Sequence, residues 1–181
     1  VQDLKDISRK ARDMGIDANI YLEDWSNGMK NSRDYVYYLM DALKDEPIKR
    51  FMLPDTLGIL NHEKVYEYCS DMLNRYPDVH FDFHAHNDYD LAVSNSYAAV
   101  KAGMKGIHTT VNGLGERAGN APLSSVVGVI NDQTEHKTNI DETQLISISK
   151  LVESFSALRI PYNKPLIGEN VFTQTSGIHA D

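Results

Sequence analysis

Four short apolar segments recur along the chain at nearly constant spacing, and this spacing constrains the fold more than any other feature. Their centres fall near residues 21, 51, 82 and 108, so successive segments lie about 26 to 31 residues apart. The stretches between them carry apolar residues at helical spacing. One strand, one helix and two short loops occupy about this length. The sequence therefore predicts consecutive βα units, which build a parallel sheet covered by helices.

Two α/β architectures repeat this unit. One is a doubly wound open sheet and the other is a stretch of a (β/α)8 barrel. A complete barrel needs about 250 residues, whereas the chain has 181. Apolar periodicity also predicts a helix at residues 1–14, before the first strand, and two helices after the fourth, near 122–132 and 145–155. The spacing alone leaves both architectures open.

Charge and cysteine content exclude several classes of function. Lys and Arg number 18 and Asp and Glu number 26, so the formal net charge is −8, which argues against nucleic-acid and anionic-membrane partners. No apolar run is long enough to span a bilayer, and residues 1–16 lack the apolar block of a signal peptide. A single cysteine, Cys69, excludes an intrachain disulfide and fits a reducing compartment. We expect a cytoplasmic protein.

The most informative segment is FDFHAHND, at residues 81–88. In an extended strand Phe81 and Phe83 point to one face, while His84 and His86 point to the other, about 7 Å apart along the strand. Two neutral imidazoles on one strand face can bind a divalent ion, although they also fit a histidine pair with no chemical role. The position favours a site, because α/β active sites assemble at the carboxyl ends of parallel strands.

A glycine-rich segment, VNGLGERAGNAPL at residues 111–123, follows the fourth predicted strand. Gly113, Gly115 and Ala118 loosely match the dinucleotide fingerprint GxGxxA, but no strand ending in a ribose-binding acid follows about twenty residues later. The glycines instead permit the backbone to approach a ligand closely. Asn120 fits either the N-cap of the next helix or an amide ligand to a metal ion.

Polar side chains also follow the first two predicted strands. Thr56 can donate a hydrogen bond to a carboxylate or cap the turn that follows it. Glu23 can act as an acid or base, or pair with a surface cation, and Tyr21 shares its face of the strand. Near the C-terminal end, His179 lies in an irregular segment of the kind that reaches over a site.

Five motifs together resemble those of one enzyme family. They are YLED (21–24), LPDTLG (53–58), FHAHND (83–88), VNGLGERAGN (111–120) and SGIHAD (176–181). Their order is similar to that in the acyl-CoA-dependent synthases that condense 2-keto acids, namely the 2-isopropylmalate, citramalate and homocitrate synthases, within the HMG-CoA lyase-like TIM-barrel metalloenzymes. The resemblance covers essentially the whole chain, and the combination of HxHND with GERAGN is specific.

This resemblance implies a fold and an activity. Residues 1–155 would form the last four βα units of a (β/α)8 TIM barrel, and residues 156–181 would begin a linker. The activity would be the condensation of acetyl-CoA with a 2-keto acid in branched-chain amino-acid biosynthesis. It would depend on a divalent metal, with zinc favoured over manganese or magnesium. The resemblance also implies a homodimer.

The resemblance also implies roles for individual residues. The metal ligands would be His84, His86 and Asn120. Glu23 and His179 would be catalytic, His179 as a general base that arrives from the neighbouring subunit. Thr56 would bind the carboxylate of the keto acid. Tyr21 would narrow the acceptor pocket, which favours a small keto acid such as pyruvate.

The sequence departs from the family pattern in one respect. The family barrel begins with a strand that carries an Asp metal ligand and an adjacent Arg, and no such motif occurs here. We therefore expect a fragment of a longer enzyme that is inactive alone. Two alternatives stay open: a C–C lyase of the same superfamily, which usually carries a catalytic cysteine in the glycine-rich loop, and, less favoured, a metal-dependent hydrolase.

Overall fold

A parallel sheet of four strands forms the centre of the molecule. The computed structural model describes residues 1–173. The strands are β1 (Ala18–Tyr21), β2 (Ile48–Asp55), β3 (Phe81–Ala85) and β4 (Gly106–His108). Their order in the sheet is the order in the sequence, and each neighbouring pair is parallel. The predicted parallel sheet of successive βα units is confirmed.

Helices separate the strands and continue after the last one. The α-helices are α1 (Gln2–Asp13), α2 (Trp25–Asn31), α3 (Arg33–Leu43), α4 (His62–Arg75), α5 (Ala92–Ala102), α6 (Leu123–Gln133) and α7 (Leu145–Ser156). Short 3-10 turns occupy Val111–Gly113, Glu142–Gln144 and Glu169–Phe172. Within the part of the chain that the structure describes, none of the helices has both the length and the apolar composition needed to cross a membrane.

Local signals in the sequence explain where several helices begin and end. The Asn61 side chain accepts a hydrogen bond from the Lys64 amide and caps the first turn of α4. Gly103 ends α5 with a φ of 107°, in the left-handed region that glycine adopts without strain. The short helix α2 was not predicted, because seven residues that include a glycine give little periodicity.

The apolar run at 48–53 is followed by Pro54, which predicts the end of a strand there, but β2 continues through Pro54 to Asp55. The Phe51 amide donates to the carbonyl of His80, the residue before β3, whereas the Leu22 amide next to β1 donates to the carbonyl of Met52. Because amides alternate along a strand, position 54 faces the β1 side. Strand β1 ends at Tyr21, opposite Met52. No hydrogen-bond donor is needed at Pro54, so proline is tolerated there.

The main apolar core lies between the sheet and its helices. Phe51, Leu53, Phe81 and Phe83 are almost fully buried, which confirms the predicted inward face of β3. Trp25 of α2 packs edge-on against Phe83, with ring centroids 6.4 Å apart. The opposite face of the sheet is therefore free to carry the polar side chains of the site.

Helix α1 forms as predicted, but its apolar face is largely exposed. Ile7 and Met14 are each 64% exposed, and Leu4 is 39% exposed. Ser8 is the buried residue of this helix. Within residues 1–173, this apolar face is therefore only partly covered.

Candidate active site

Strand β3 presents two histidines at its carboxyl end, on the face opposite Phe83. The ring centroids of His84 and His86 are 5.0 Å apart, and the two rings stand nearly perpendicular. This distance is shorter than the spacing expected along an extended strand, so the imidazoles converge. The His86 amide donates to the Asp55 carbonyl at 3.4 Å, which joins it to the end of β2.

The glycine-rich loop after β4 returns to the end of β3 and brings Asn120 beside His86. These two residues form an isolated antiparallel bridge. On either side of it, the Asn87 amide donates to Gly119 at 2.9 Å and the Ala121 amide donates to Ala85 at 3.1 Å. The N-cap of α6 is Pro122, so the alternative that Asn120 caps this helix is wrong.

Gly115 makes room for the Asn120 side chain, and Gly119 makes room for the backbone of Gly113. A Cβ on Gly115 would lie 2.3 Å from Asn120 Nδ2, and a Cβ on Gly119 would lie 2.0 Å from the Gly113 carbonyl oxygen. Asn120 Nδ2 donates to the Leu114 carbonyl at 3.2 Å. This bond orients the amide so that Oδ1 stays available as an acceptor.

Three buried atoms at this point have no hydrogen-bond partner. They are His84 Nδ1, His86 Nδ1 and Asn120 Oδ1, three of the nine such side-chain atoms among residues 1–173. Buried polar atoms are normally satisfied, so these three unsatisfied atoms are candidates to bind a ligand. Imidazole nitrogens and an amide oxygen are metal-binding donors, and these residues therefore fit a divalent ion. No group of three His, Cys, Asp or Glu side chains within the described range is arranged to hold a metal, so the donor set has no carboxylate.

Burial prepares His84 for such a role. Loss of solvation, together with repulsion from the neighbouring His86 and His108, lowers the pKa of His84 from 6.5 to about 4. The imidazole is therefore neutral at physiological pH, and a neutral nitrogen is the form that binds a metal.

Glu23 and Thr56 contact each other across the ends of β1 and β2. The Thr56 hydroxyl donates to Glu23 Oε1 at 2.9 Å and accepts from the Asp24 amide at 3.0 Å. The hydroxyl therefore does not cap its own turn. Among residues 1–173 Glu23 makes no salt bridge with a cation, and its negative charge acts on His84, whose pKa it raises against the larger opposing effects.

Tyr21 is held beside the histidines by two residues to which the sequence analysis gave no role. Its hydroxyl lies 3.0 Å from His108 Nδ1, and His108 Nε2 lies 3.3 Å from the buried carboxylate of Asp82. The ring of Tyr21 contacts that of His84 edge-on, with centroids 6.2 Å apart. Two sequence signals could have identified these residues. Asp82 shares its strand face with His84, and His108 lies at the end of a strand.

Of the seven candidate residues, the structure describes six and brings them to one end of the sheet: Tyr21, Glu23, Thr56, His84, His86 and Asn120. His179 lies outside the described residues 1–173.

Comparison with known sequences gives a consistent result. The chain is 37% identical over 185 residues to the 2-isopropylmalate synthase of Methanocaldococcus jannaschii, an alignment that covers 98% of the chain and 36% of the relative. It is 38% identical over 148 residues to the homocitrate synthase of Sulfolobus acidocaldarius, covering 81% and 31%. A Methanopyrus kandleri protein provisionally named (R)-citramalate synthase is 39% identical over 178 residues, covering 98% and 34%. The chain thus spans about a third of the length of these relatives.

Solved structures and a family model complete the comparison. The HMG-CoA lyase of Bacillus subtilis superposes with a TM-score of 0.75 at 24% identity, over 87% of the chain and 56% of that structure. The hydroxymethylglutaryl-CoA lyase of Pseudomonas aeruginosa gives a TM-score of 0.74 at 18% identity, over 86% and 55%. These likenesses concern the fold, and the four-stranded sheet corresponds to half of their TIM barrel. The HMGL-like family model matches residues 1–152, and the chain belongs to the HMGL-like family.

Proposed function

We propose that the protein containing this chain condenses acetyl-CoA with a 2-keto acid. The observation that carries this proposal is the set of buried metal-binding atoms without a hydrogen-bond partner on His84, His86 and Asn120, next to the Glu23–Thr56 pair. The relatives named as 2-isopropylmalate, citramalate and homocitrate synthases support the same class of reaction. The product would be a 2-hydroxy dicarboxylate, formed for branched-chain amino-acid biosynthesis.

Three side chains of this chain would hold a divalent ion. They are His84, His86 and Asn120, with a carboxylate ligand contributed from outside the described residues. Two imidazoles favour zinc over magnesium, with manganese between them. When bound, the ion would polarise the carbonyl of the keto acid and stabilise negative charge on its oxygen.

Other side chains would orient the substrates and move protons. Thr56 would turn its hydroxyl from Glu23 to the carboxylate of the keto acid, and Tyr21 would limit the size of the acceptor. Glu23 would act as an acid or base beside the reacting carbon. His179, from the neighbouring subunit of a homodimer, would remove a proton from the acetyl methyl group. The resulting carbanion attacks the keto carbon, and water then cleaves the thioester and releases CoA.

A lyase reaction is the second candidate, because the solved structures named above are HMG-CoA lyases. Lyases of this superfamily usually carry a catalytic cysteine in the glycine-rich loop, and the loop at 111–123 contains none. Cys69 is fully buried in α4, where burial raises the pKa of its thiol. The condensation therefore accounts better for this chain.

The test is release of free thiol from acetyl-CoA by the longest natural polypeptide that contains this chain. Pyruvate, 2-ketoisovalerate and 2-ketoglutarate are supplied in parallel, each with zinc, manganese or magnesium. We expect thiol release that depends on one keto acid and is abolished by His86→Ala. Cleavage of a hydroxyacyl-CoA, without condensation by a folded and metal-loaded protein, would transfer the assignment to the lyase. The 181-residue chain alone is expected to be inactive.

A further inference from the structure

Arg117 connects the three loops that follow β2, β3 and β4. Its Nε and Nη2 atoms donate to the two carboxylate oxygens of Asp88, at 2.8 Å and 3.1 Å. The same Nη2 donates to the carbonyl oxygen of Thr56 at 2.6 Å. One guanidinium group thus holds a carboxylate by two hydrogen bonds and a backbone carbonyl by a third.

Each of these loops carries a residue of the candidate site. Thr56 is itself a member of the site, Asp88 follows His86 by two residues, and Arg117 precedes Asn120 by three. The contacts of Arg117 therefore bear on the relative positions of a hydroxyl group, an imidazole and an amide that come from three different βα units.

The backbone at Arg117 adopts an energetically unfavourable conformation. Arg117 has a φ of 55°, a left-handed conformation that side chains other than glycine adopt rarely. On the opposite side, a Cβ on Gly58 would lie 2.8 Å from Asp88 Oδ2, so the loop after β2 makes room for this carboxylate. A strained backbone conformation persists only where surrounding contacts hold it in place. At Arg117 the three hydrogen bonds of the guanidinium group provide these contacts.

An isolated ion pair at the protein surface contributes little to stability, and Arg117 is 38% exposed. Bidentate geometry differs, because it fixes direction as well as distance. We propose that Arg117 is a positioning residue that holds the three loops in one arrangement, so that His86 and Asn120 face one ligand and Thr56 lies beside them. The identity of that ligand rests on the proposed function. The arrangement of the three loops does not depend on it.

Electrostatics and positioning predict opposite signs for the effect of Arg117 on metal affinity. If the guanidinium acted only through its charge, its removal would strengthen the binding of a divalent cation nearby. If it holds the ligands in place, its removal weakens binding, as loss of groups that orient metal ligands does. A measurement of metal affinity therefore distinguishes the two roles.

Arg33 provides a matched control. It is also 38% exposed, contacts the carboxylate of Glu67 at 3.5 Å, and donates to the Met29 carbonyl at 3.3 Å. This group lies on α3 and contacts α4, away from the site residues. Arg33→Ala therefore removes a similar set of contacts without affecting the three loops.

The first experiment needs no metal. Amide hydrogen exchange is compared between the wild-type chain and Arg117→Ala at Asn87, Asn120 and Ala121. The Asn87 amide joins the loop after β3 to the glycine-rich loop, the Asn120 amide closes the glycine-rich loop on Gly113, and the Ala121 amide joins that loop to β3. We expect exchange at these three amides to accelerate about tenfold, while amides of α4 keep their rates. Unchanged exchange at the three amides would overturn the proposal whatever the chain binds. Asp88→Asn repeats the test in case Arg117→Ala does not fold.

The second experiment titrates the same chains with Zn²⁺ and with Co²⁺ by calorimetry. Arg117→Ala and Arg117→Lys are both expected to weaken binding about tenfold, because lysine keeps the charge but not the forked geometry. Arg33→Ala should bind as the wild type does. Tighter binding by Arg117→Ala would refute the positioning role. A wild-type chain that binds neither ion would count against the proposed metal site, while the exchange experiment would still decide the role of Arg117.

Discussion

Burial determines the charge of His84 and thereby makes stability depend on pH. The unfolded chain has an ordinary histidine pKa of 6.5, whereas in the folded chain the pKa of His84 is lowered to about 4. Between these values the unfolded state binds a proton that the folded state does not. The free energy of unfolding therefore decreases as the pH falls through this window, and the contribution is fully present above it.

This linkage predicts the behaviour of a His84→Gln variant in the presence of a chelator. Between about pH 7 and about pH 5, the wild-type chain should lose on the order of 1 to 2 kcal/mol more stability than the variant. Urea unfolding at the two pH values measures the difference. Equal losses in both chains would mean that His84 is not desolvated in the folded state.

The position of the Asn120 side chain depends on Gly115, which has no side chain of its own. An alanine at Gly115 would place its Cβ 2.3 Å from Asn120 Nδ2, so the amide must move. We expect Gly115→Ala to weaken Zn²⁺ binding about tenfold with the fold retained. In an Asn120→Ala background, the same substitution should have no further effect on affinity. Calorimetric titration of the single and double variants tests this, and additive losses would contradict it.

At the scale of elements, β3 serves two purposes through simple alternation. Phe81, Phe83 and Ala85 are fully buried under the helices, while His84 is directed to the other face. The same backbone that anchors the core therefore sets the positions of the imidazoles. A change of register by one residue would exchange the two sets of side chains.

The apolar face of β3 gives a stability prediction. Phe83 is completely buried and packs against Trp25, so Phe83→Ala should lower the free energy of unfolding by about 3 to 5 kcal/mol. Phe155→Ala is the control, because Phe155 is 82% exposed, and its effect should stay below about 0.5 kcal/mol. Urea denaturation measures both, and similar effects would show that Phe83 is not a core residue.

At the scale of the whole molecule, both edges of the sheet are unpaired. Within residues 1–173, β1 and β4 each pair with only one neighbouring strand. Each edge adjoins a partly apolar cavity. The cavity of about 590 Å³ at the β4 side is lined in part by Val100, Ile107, Leu123, Val126 and Ile130. The cavity of about 390 Å³ at the β1 side is lined in part by Leu4, Ile20, Tyr35 and Leu39. Unpaired edges of this kind promote association.

We therefore expect the 181-residue chain to self-associate as its concentration rises. The Leu22 amide donates towards β2, so by alternation the Asn19 amide faces the open edge of β1. Asn19→Pro should reduce association, because it removes an edge donor without removing a hydrogen bond of the sheet. Asn19→Ala keeps the amide and should associate as the wild type does. Sedimentation velocity distinguishes the variants, and a wild-type chain that stays monomeric would contradict the prediction.

The sequence by itself determined the succession of βα units and the candidate residues. Spacing predicted the βα units, alternation predicted the two faces of β3, and the motifs identified six residues that the structure brings to one end of the sheet. These signals are local, since they depend on which neighbours share a face of a strand or helix. Even β2 was predicted correctly except at its end, because the tolerance of Pro54 depends on where a different strand stops.

Tertiary structure decided which of those residues touch. The pairing of His86 with Asn120 joins positions far apart in the chain, and the contacts of Arg117 with Asp88 and Thr56 join three loops. Neither has a periodicity that a sequence pattern reveals, because each depends on how loops fold back across the ends of the sheet. The low pKa of His84 has the same origin, since it comes from burial by, and repulsion from, groups that only the folded chain brings together.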